Sequence, residues 1–171
     1  MHWWQDYKSD ENAVPYHNIG FRIEKVPEYV HGKLMDKVWQ TPEEEWKPES
    51  TVESGVHNSI VTMDSVSDAL HDAEWMDALL AEMLPVHEEW TGMKLCPSAV
   101  YGPRRYKTGA RLADHIDRIE RQISSTICIA HQLNAPWPLY IEDINGSEHY
   151  VDLQPGECLL YEGAKLEHGR R

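Results

Sequence analysis

Leu139-Tyr140-Ile141-Glu142-Asp143-Ile144-Asn145-Gly146-Ser147-Glu148-His149-Tyr150-Val151-Asp152-Leu153-Gln154-Pro155-Gly156-Glu157-Cys158-Leu159-Leu160-Tyr161 contains three strand-like runs joined by two turn signals. Leu139–Glu142 and His149–Leu153 are rich in aromatic and branched residues, the composition of a pleated and partly buried surface. Between them, Asn145-Gly146 is the pair favoured by a two-residue type I′ turn, which makes the two runs antiparallel. Gln154-Pro155-Gly156-Glu157 then reads as a type II turn, with proline at its second position and glycine at its third. It feeds a third run, Cys158–Tyr161. Short connections of this kind leave no room for helical crossovers, so the expected sheet is antiparallel.

Upstream, Ser124-Ser125-Thr126-Ile127-Cys128-Ile129-Ala130 adds another β-branched run. The chain changes character near residue 95. From Pro27, a good first-turn residue, Val30, Leu34 and Val38 recur at four-residue spacing and predict a helix through Trp39, weakened by Gly32. Thr41–Ser50 is charged and bounded by Pro42 and Pro48, and reads as an exposed loop with one helical turn. From Asp72 to Trp90, the residues Trp75, Leu79, Met83, Val86 and Trp90 fall at intervals of three or four and predict the best helix of the chain. Pro85 predicts a kink or break in it, and Thr91-Gly92 its end. A helix face packing on a sheet accounts for the aromatic stripe. Helices followed by many short antiparallel strands predict a mainly β domain, a sandwich or jelly roll covered by N-terminal helices.

The length of 171 residues suits a single domain, 1–171, with residues 1–95 as helical and extended support and 96–171 as the β core. Sixteen Lys and Arg against 29 Asp and Glu give a formal charge of −13, which repels nucleic-acid phosphates and anionic lipid. No apolar run approaches a membrane span, and Met1–Asp6 lacks the start of a signal peptide, so the expected location is cytoplasmic. The expected partner is a peptide or small-molecule substrate, with neither nucleic acid nor membrane. Cys96, Cys128 and Cys158 are too few and too far apart for a disulfide framework or a thiolate cluster, and read as buried, reduced small hydrophobes.

Ten histidines in so acidic a chain are the unusual feature, because imidazoles and carboxylates together suit borderline divalent metals. His115-Ile116-Asp117 is a His-x-Asp pair, but ten histidines and eleven aspartates would produce about 0.6 such pairs by chance. Geometry discriminates better than count. Residues i and i+2 share a face of a strand and diverge on a helix. His87 and Glu89, in the helical pattern, should therefore point apart, with His87 at a solvated helix end, whereas His115 and Asp117 lie between strand-like runs. His168 follows the last run and could supply a third ligand. Two imidazoles and one carboxylate leave open positions that suit non-haem Fe(II). Spacing alone leaves equally open a polar strand end at His115 and a tail residue at His168.

Tyr106-Lys107-Thr108-Gly109-Ala110-Arg111-Leu112-Ala113-Asp114-His115-Ile116-Asp117-Arg118 resembles the Tyr-x-x-Gly-x-x-x-x-x-His-x-Asp segment of Fe(II)/2-oxoglutarate-dependent oxygenases of the prolyl 4-hydroxylase type. Pro155–Gly163 and Leu166-Glu167-His168-Gly169-Arg170 resemble the same superfamily, whose proline-glycine turn precedes the strand leading to the distal histidine. Ala135-Pro136-Trp137-Pro138-Leu139 and the early Pro15-Tyr16-His17-Asn18-Ile19-Gly20-Phe21 look like a subgroup of small stand-alone oxygenases from marine microbes. The resemblance implies a double-stranded β-helix, with His115, Asp117 and His168 as iron ligands and Tyr106 helping to hold 2-oxoglutarate. It implies a dioxygenase that hydroxylates its substrate while turning 2-oxoglutarate and O₂ into succinate and CO₂, with ascorbate as reductant. In that superfamily an Arg or Lys about ten residues beyond the distal histidine pairs the distal carboxylate of 2-oxoglutarate. The sequence ends three residues after His168, so the resemblance also implies a domain short of its last strands. Arg170 is the cation assigned to 2-oxoglutarate here, with Arg105 upstream as the other candidate; Arg105 and Arg118 otherwise read as ordinary solvated or salt-bridged arginines. The rival expectation is a degenerate, non-catalytic metal-binding jelly roll.

Overall fold

The computed structural model describes residues 17–48, 52–53, 60–61, 67–69 and 72–171. Pro15 and Tyr16 of the early segment, and Glu49 and Ser50 of the charged loop, lie outside the described residues. Strands are β1 (Phe21–Lys25), β2 (Lys47–Pro48), β3 (Val52–Glu53), β4 (Ile60–Val61), β5 (Ser67–Ala69), β6 (Arg104–Tyr106), β7 (Leu112–His115), β8 (Ser124–Ile127), β9 (Leu139–Glu142), β10 (Glu148–Val151), β11 (Glu157–Tyr161) and β12 (His168–Arg170). The helices are α1 (Glu28–Gln40) and α2 (Ala73–Thr91). Among the described residues every strand pairing is antiparallel. Two main sheets, ordered β1-β11-β8 and β10-β9-β12-β7, form the layers of a jelly roll, and two small sheets, β2-β5-β6 and β3-β4, accompany them. One strand of the first sheet, β1, comes from ahead of both helices.

Strand β11 shows how the sequence builds two cores at once. Its residues Cys158, Leu159 and Leu160 are fully buried, and alternation sends successive side chains to opposite faces. Leu159 and Tyr161 join Phe21, Leu139, Ile141, Val151, Leu153 and Leu166 between the two sheets. Cys158 and Leu160 join Val26, Val30, Leu34, Met83 and Trp90 under the helices. The continuous apolar run at 158–161 is therefore what a strand covered on both faces requires.

Both helices form where their spacing predicts. Helix α1 begins after Pro27 and buries Val30 and Leu34. Helix α2 is capped by Asp72, whose carboxylate accepts the Trp75 N–H at 3.1 Å, and it ends at Gly92 in the left-handed conformation. It runs through Pro85 without the break that was one of the two expected outcomes. Met83, Val86 and Trp90, on both sides of the proline, pack on the same core, which offsets the lost backbone hydrogen bond. Among the described residues no helix is long and apolar enough to cross a membrane.

Three local readings are corrected. The β9–β10 hairpin turns through Ile144-Asn145-Gly146 rather than through two residues: Asp143 donates its N–H to the Ser147 carbonyl at 2.9 Å, and Gly146 alone takes φ 83°. The reason is the Asp143 carboxylate, which accepts the N–H groups of Asn145 and Ser147 and a ring N–H of His149, at 2.8 to 3.0 Å. Cys96 is exposed and Cys128 only half-buried, although all three cysteines are free. Trp46, in the charged loop, is buried with the Arg105 guanidinium 4.6 Å from its ring centre, so that loop is anchored to the body. Glu43–Glu45 forms the expected single helical turn.

Candidate metal centre

Strands β7 and β12 are neighbours, with His115 directly opposite His168. Their rings lie 4.4 Å apart between centres, and both residues are buried. Asp117 follows β7 by two residues and is placed by the crossover loop between β11 and β12: its N–H donates to the Gly163 carbonyl at 2.8 Å. A ligating atom from each of His115, Asp117 and His168 lies within 4.8 Å of the other two. The structure thus gathers residues 115, 117 and 168 to one point. His87 is instead half-buried on α2, where a ring nitrogen meets the Met83 carbonyl at 2.8 Å, so the solvated helix end expected for it is corrected.

The orientation of the two imidazoles matters as much as their proximity. Nδ1 of His115 is 2.8 Å from the Ala113 carbonyl, and Nδ1 of His168 is 2.9 Å from the Leu166 carbonyl. A carbonyl oxygen only accepts, so each Nδ1 carries the proton and each Nε2 keeps its lone pair for a metal. Burial, reinforced by the neighbouring His168, pushes the His115 pKa down to about 4, which leaves its imidazole neutral at pH 7. Asp117 Oδ2 accepts the Ser124 hydroxyl proton at 2.6 Å, an outer partner of the kind that orients ligating carboxylates. Gly163 backs this arrangement, since a Cβ there would strike both Asp117 Oδ2 and the Ser124 hydroxyl. Two imidazoles, each with Nδ1 turned to a backbone carbonyl, and one oriented carboxylate form a donor set that fits Fe(II). Tyr161 closes one side, its ring 4.6 Å from that of His168 and its phenol held far above the usual range by burial.

Beside this trio, β6 presents Arg104 and Tyr106 on one face and Arg105 on the other, as alternation demands. Arg104 Nη1 donates to the Tyr106 hydroxyl at 3.3 Å, and its charge disfavours protonation of His115. Arg105 is directed away, where it grips the Glu43 carboxylate through two nitrogens at 2.7 and 2.9 Å and stacks on Trp46. The upstream candidate is thereby engaged elsewhere. Arg170 is half-buried on β12, with its guanidinium 5.7 Å from the ring centre of Tyr106 and 4.8 Å from that of Trp137. Sequence reading missed Ser124, Gly163 and Arg104. No strand or helix period links Ser124 to Asp117, seven residues before it, and Gly163 meets Asp117 only through the fold, whereas the place of Arg104 two residues before Tyr106 was a usable signal.

No protein-family model and no curated protein matches the sequence. Among solved structures, the fold is similar to that of a Pseudomonas putida prolyl-4-hydroxylase, with a TM-score of 0.60 and 15% sequence identity over 90% of this chain and 85% of the other. The likeness is one of fold, and that fold is the jelly roll described above.

Proposed function

We propose that the protein is an Fe(II)/2-oxoglutarate-dependent dioxygenase, a hydroxylase of the prolyl-hydroxylase type. The observation that carries this reading is the trio itself: two imidazoles with Nε2 free and one carboxylate, all within 4.8 Å, at the junction of β7 and β12 in a jelly roll. His115, Asp117 and His168 would hold Fe(II), and the bound iron with 2-oxoglutarate supplies the oxidising chemistry that activates O₂. The protein's own contribution is orientation and exclusion. The Ala113 and Leu166 carbonyls fix the imidazoles, Ser124 fixes the carboxylate, and Tyr161 remains a neutral phenol that keeps water from the His168 side. The Tyr106 hydroxyl, to which Arg104 donates, would help to hold 2-oxoglutarate. The resemblance of residues 106–118 to the oxygenase segment supports the same roles, and ascorbate is the proposed reductant.

Incubation of the purified protein with Fe(II), 2-oxoglutarate and O₂ tests this by mass-spectrometric detection of succinate. Wild-type protein should form succinate, even slowly without its true substrate, and His115→Ala should form none. Stoichiometric Fe(II) binding with no succinate across peptide and amino-acid substrates would leave a metal-binding jelly roll without this activity.

A further inference from the structure

Strand β1, Phe21-Arg22-Ile23-Glu24-Lys25, is an outer strand of the sheet β1-β11-β8, and among the described residues no strand pairs its other edge. The phase of its bonding to β11 decides which backbone groups that edge presents. The Glu162 N–H donates to the Gly20 carbonyl and the Val26 N–H to the Gly156 carbonyl, each at 2.9 Å, at the two ends of the β1–β11 ladder. Closely spaced bonded pairs recur at every second residue of an antiparallel ladder. Residues 20, 22, 24 and 26 therefore bond to β11, and residues 21, 23 and 25 turn their N–H and C=O groups outward. Those three positions are symmetric about Ile23, and its two neighbours, Arg22 and Glu24, carry opposite charges. Alternation puts Ile23 on the face of Phe21, which joins the core between the sheets, yet Ile23 is 46% exposed. Arg22 and Glu24 share the opposite face, where they pair with each other at 2.6 Å. The other outer strand of this sheet, β8, is tied into the metal centre through Ser124. An edge with unpaired backbone groups is a template for another strand, and one that complements itself under a two-fold rotation specifies a second copy of itself.

We propose that β1 joins two copies of this chain, paired antiparallel about a two-fold axis at Ile23. Ile23 then faces Ile23 of the second copy and Phe21 faces Lys25, and each facing pair exchanges both of its N–H···O=C bonds. Arg22 faces Glu24 of the second copy at a non-hydrogen-bonded position, where facing side chains lie closest, so the ion pair within each strand gains its counterpart across the axis. The two sheets become one, ordered β8-β11-β1-β1-β11-β8, and the exposed Ile23 is covered. This pairing is independent of the chemistry at the metal centre. Sedimentation velocity of the full chain, from micromolar to millimolar concentration, tests it, at about 0.15 M salt to screen the charge of −13 on each copy. Wild type should pass from monomer to dimer as concentration rises. Arg22→Glu or Glu24→Arg alone places like charges opposite each other on both sides of the axis and should weaken the dimer by roughly tenfold or more. The double variant Arg22→Glu/Glu24→Arg restores opposite charges and should dimerise as wild type does. Ile23→Pro removes an outward N–H at the axis and no bond to β11, so it should give a folded monomer; the charge variants, on half-exposed side chains, carry the test should the proline variant fail to fold. A wild type that stays monomeric to millimolar concentration overturns the proposal. So does a dimer that neither single charge variant weakens, or one that the double variant fails to restore.

Discussion

At the scale of the residue, the centre depends on side chains that hold other side chains. Ser124 is the clearest case, since its hydroxyl gives Asp117 Oδ2 a hydrogen bond of 2.6 Å and Gly163 leaves the space in which the two meet. Ser124→Ala should leave the fold intact and weaken divalent-metal affinity by about tenfold, the size of effect outer-shell partners have on bound metals. A Co(II) titration followed by its visible absorbance reads this directly. Unchanged affinity would mean that the Gly163 carbonyl, bonded to the Asp117 N–H, suffices to orient the carboxylate. Residue chemistry was legible in part. His115 and Asp117 declared themselves by a spacing suited to a strand, while Ser124 and Gly163 had no such signature.

At the scale of the element, helix α2 shows local rules agreeing with the tertiary structure. Asp72 caps it, Trp75, Leu79, Met83, Val86 and Trp90 line the buried face, and Gly92 ends it. Asp72 also forms an ion pair with Lys37 of α1, so one carboxylate serves a cap and a helix–helix tie. Asp72→Ala should lower the urea midpoint of unfolding, because it removes the cap of α2. Asp72→Asn should recover most of that, because the amide oxygen still accepts the Trp75 N–H. Equal losses in both variants would assign the effect to the Lys37 pair. The β9–β10 hairpin makes the opposite point: Asn145-Gly146 correctly marks a turn, but the Asp143 carboxylate decides its length by gathering three N–H donors.

At the scale of the whole molecule, burial of His115 makes stability depend on pH. In the unfolded chain His115 takes up a proton near its ordinary value of 6.5; in the folded, metal-free protein it does so only near 4. Between those values the unfolded state binds the extra proton, so stability is full above pH 6.5 and falls as pH drops towards 4, by about 1.4 kcal/mol per pH unit from this group. His87, lowered by burial, acts in the same direction. Asp72, Glu88 and Asp143, held below the usual carboxylate range by their hydrogen bonds, contribute stability lost only at still lower pH. Urea unfolding with a chelator present, at pH 7 and pH 5, should therefore show a marked loss that His115→Asn reduces. An identical loss in that variant would show that His115 is readily protonated in the folded state.

The sequence by itself determined the strands β8 to β11, the two helices and the His115–Asp117 pair, because periodicity, turn chemistry and i, i+2 geometry are local properties of the chain; β1, ahead of both helices, was not read from it. Only the structure shows that Leu159 and Leu160, adjacent in the chain, are both fully buried, so that β11 is covered on both faces. Only the tertiary structure decided that β12 lies against β7, which turns His115 and His168 into neighbours across 53 residues of chain. It also sends two arginines that look alike in sequence to different partners, Arg105 to Glu43 and Arg170 to Tyr106 and Trp137. The physical reason is that strand pairing and sheet stacking join segments far apart in the chain, and no local spacing encodes which segments will meet.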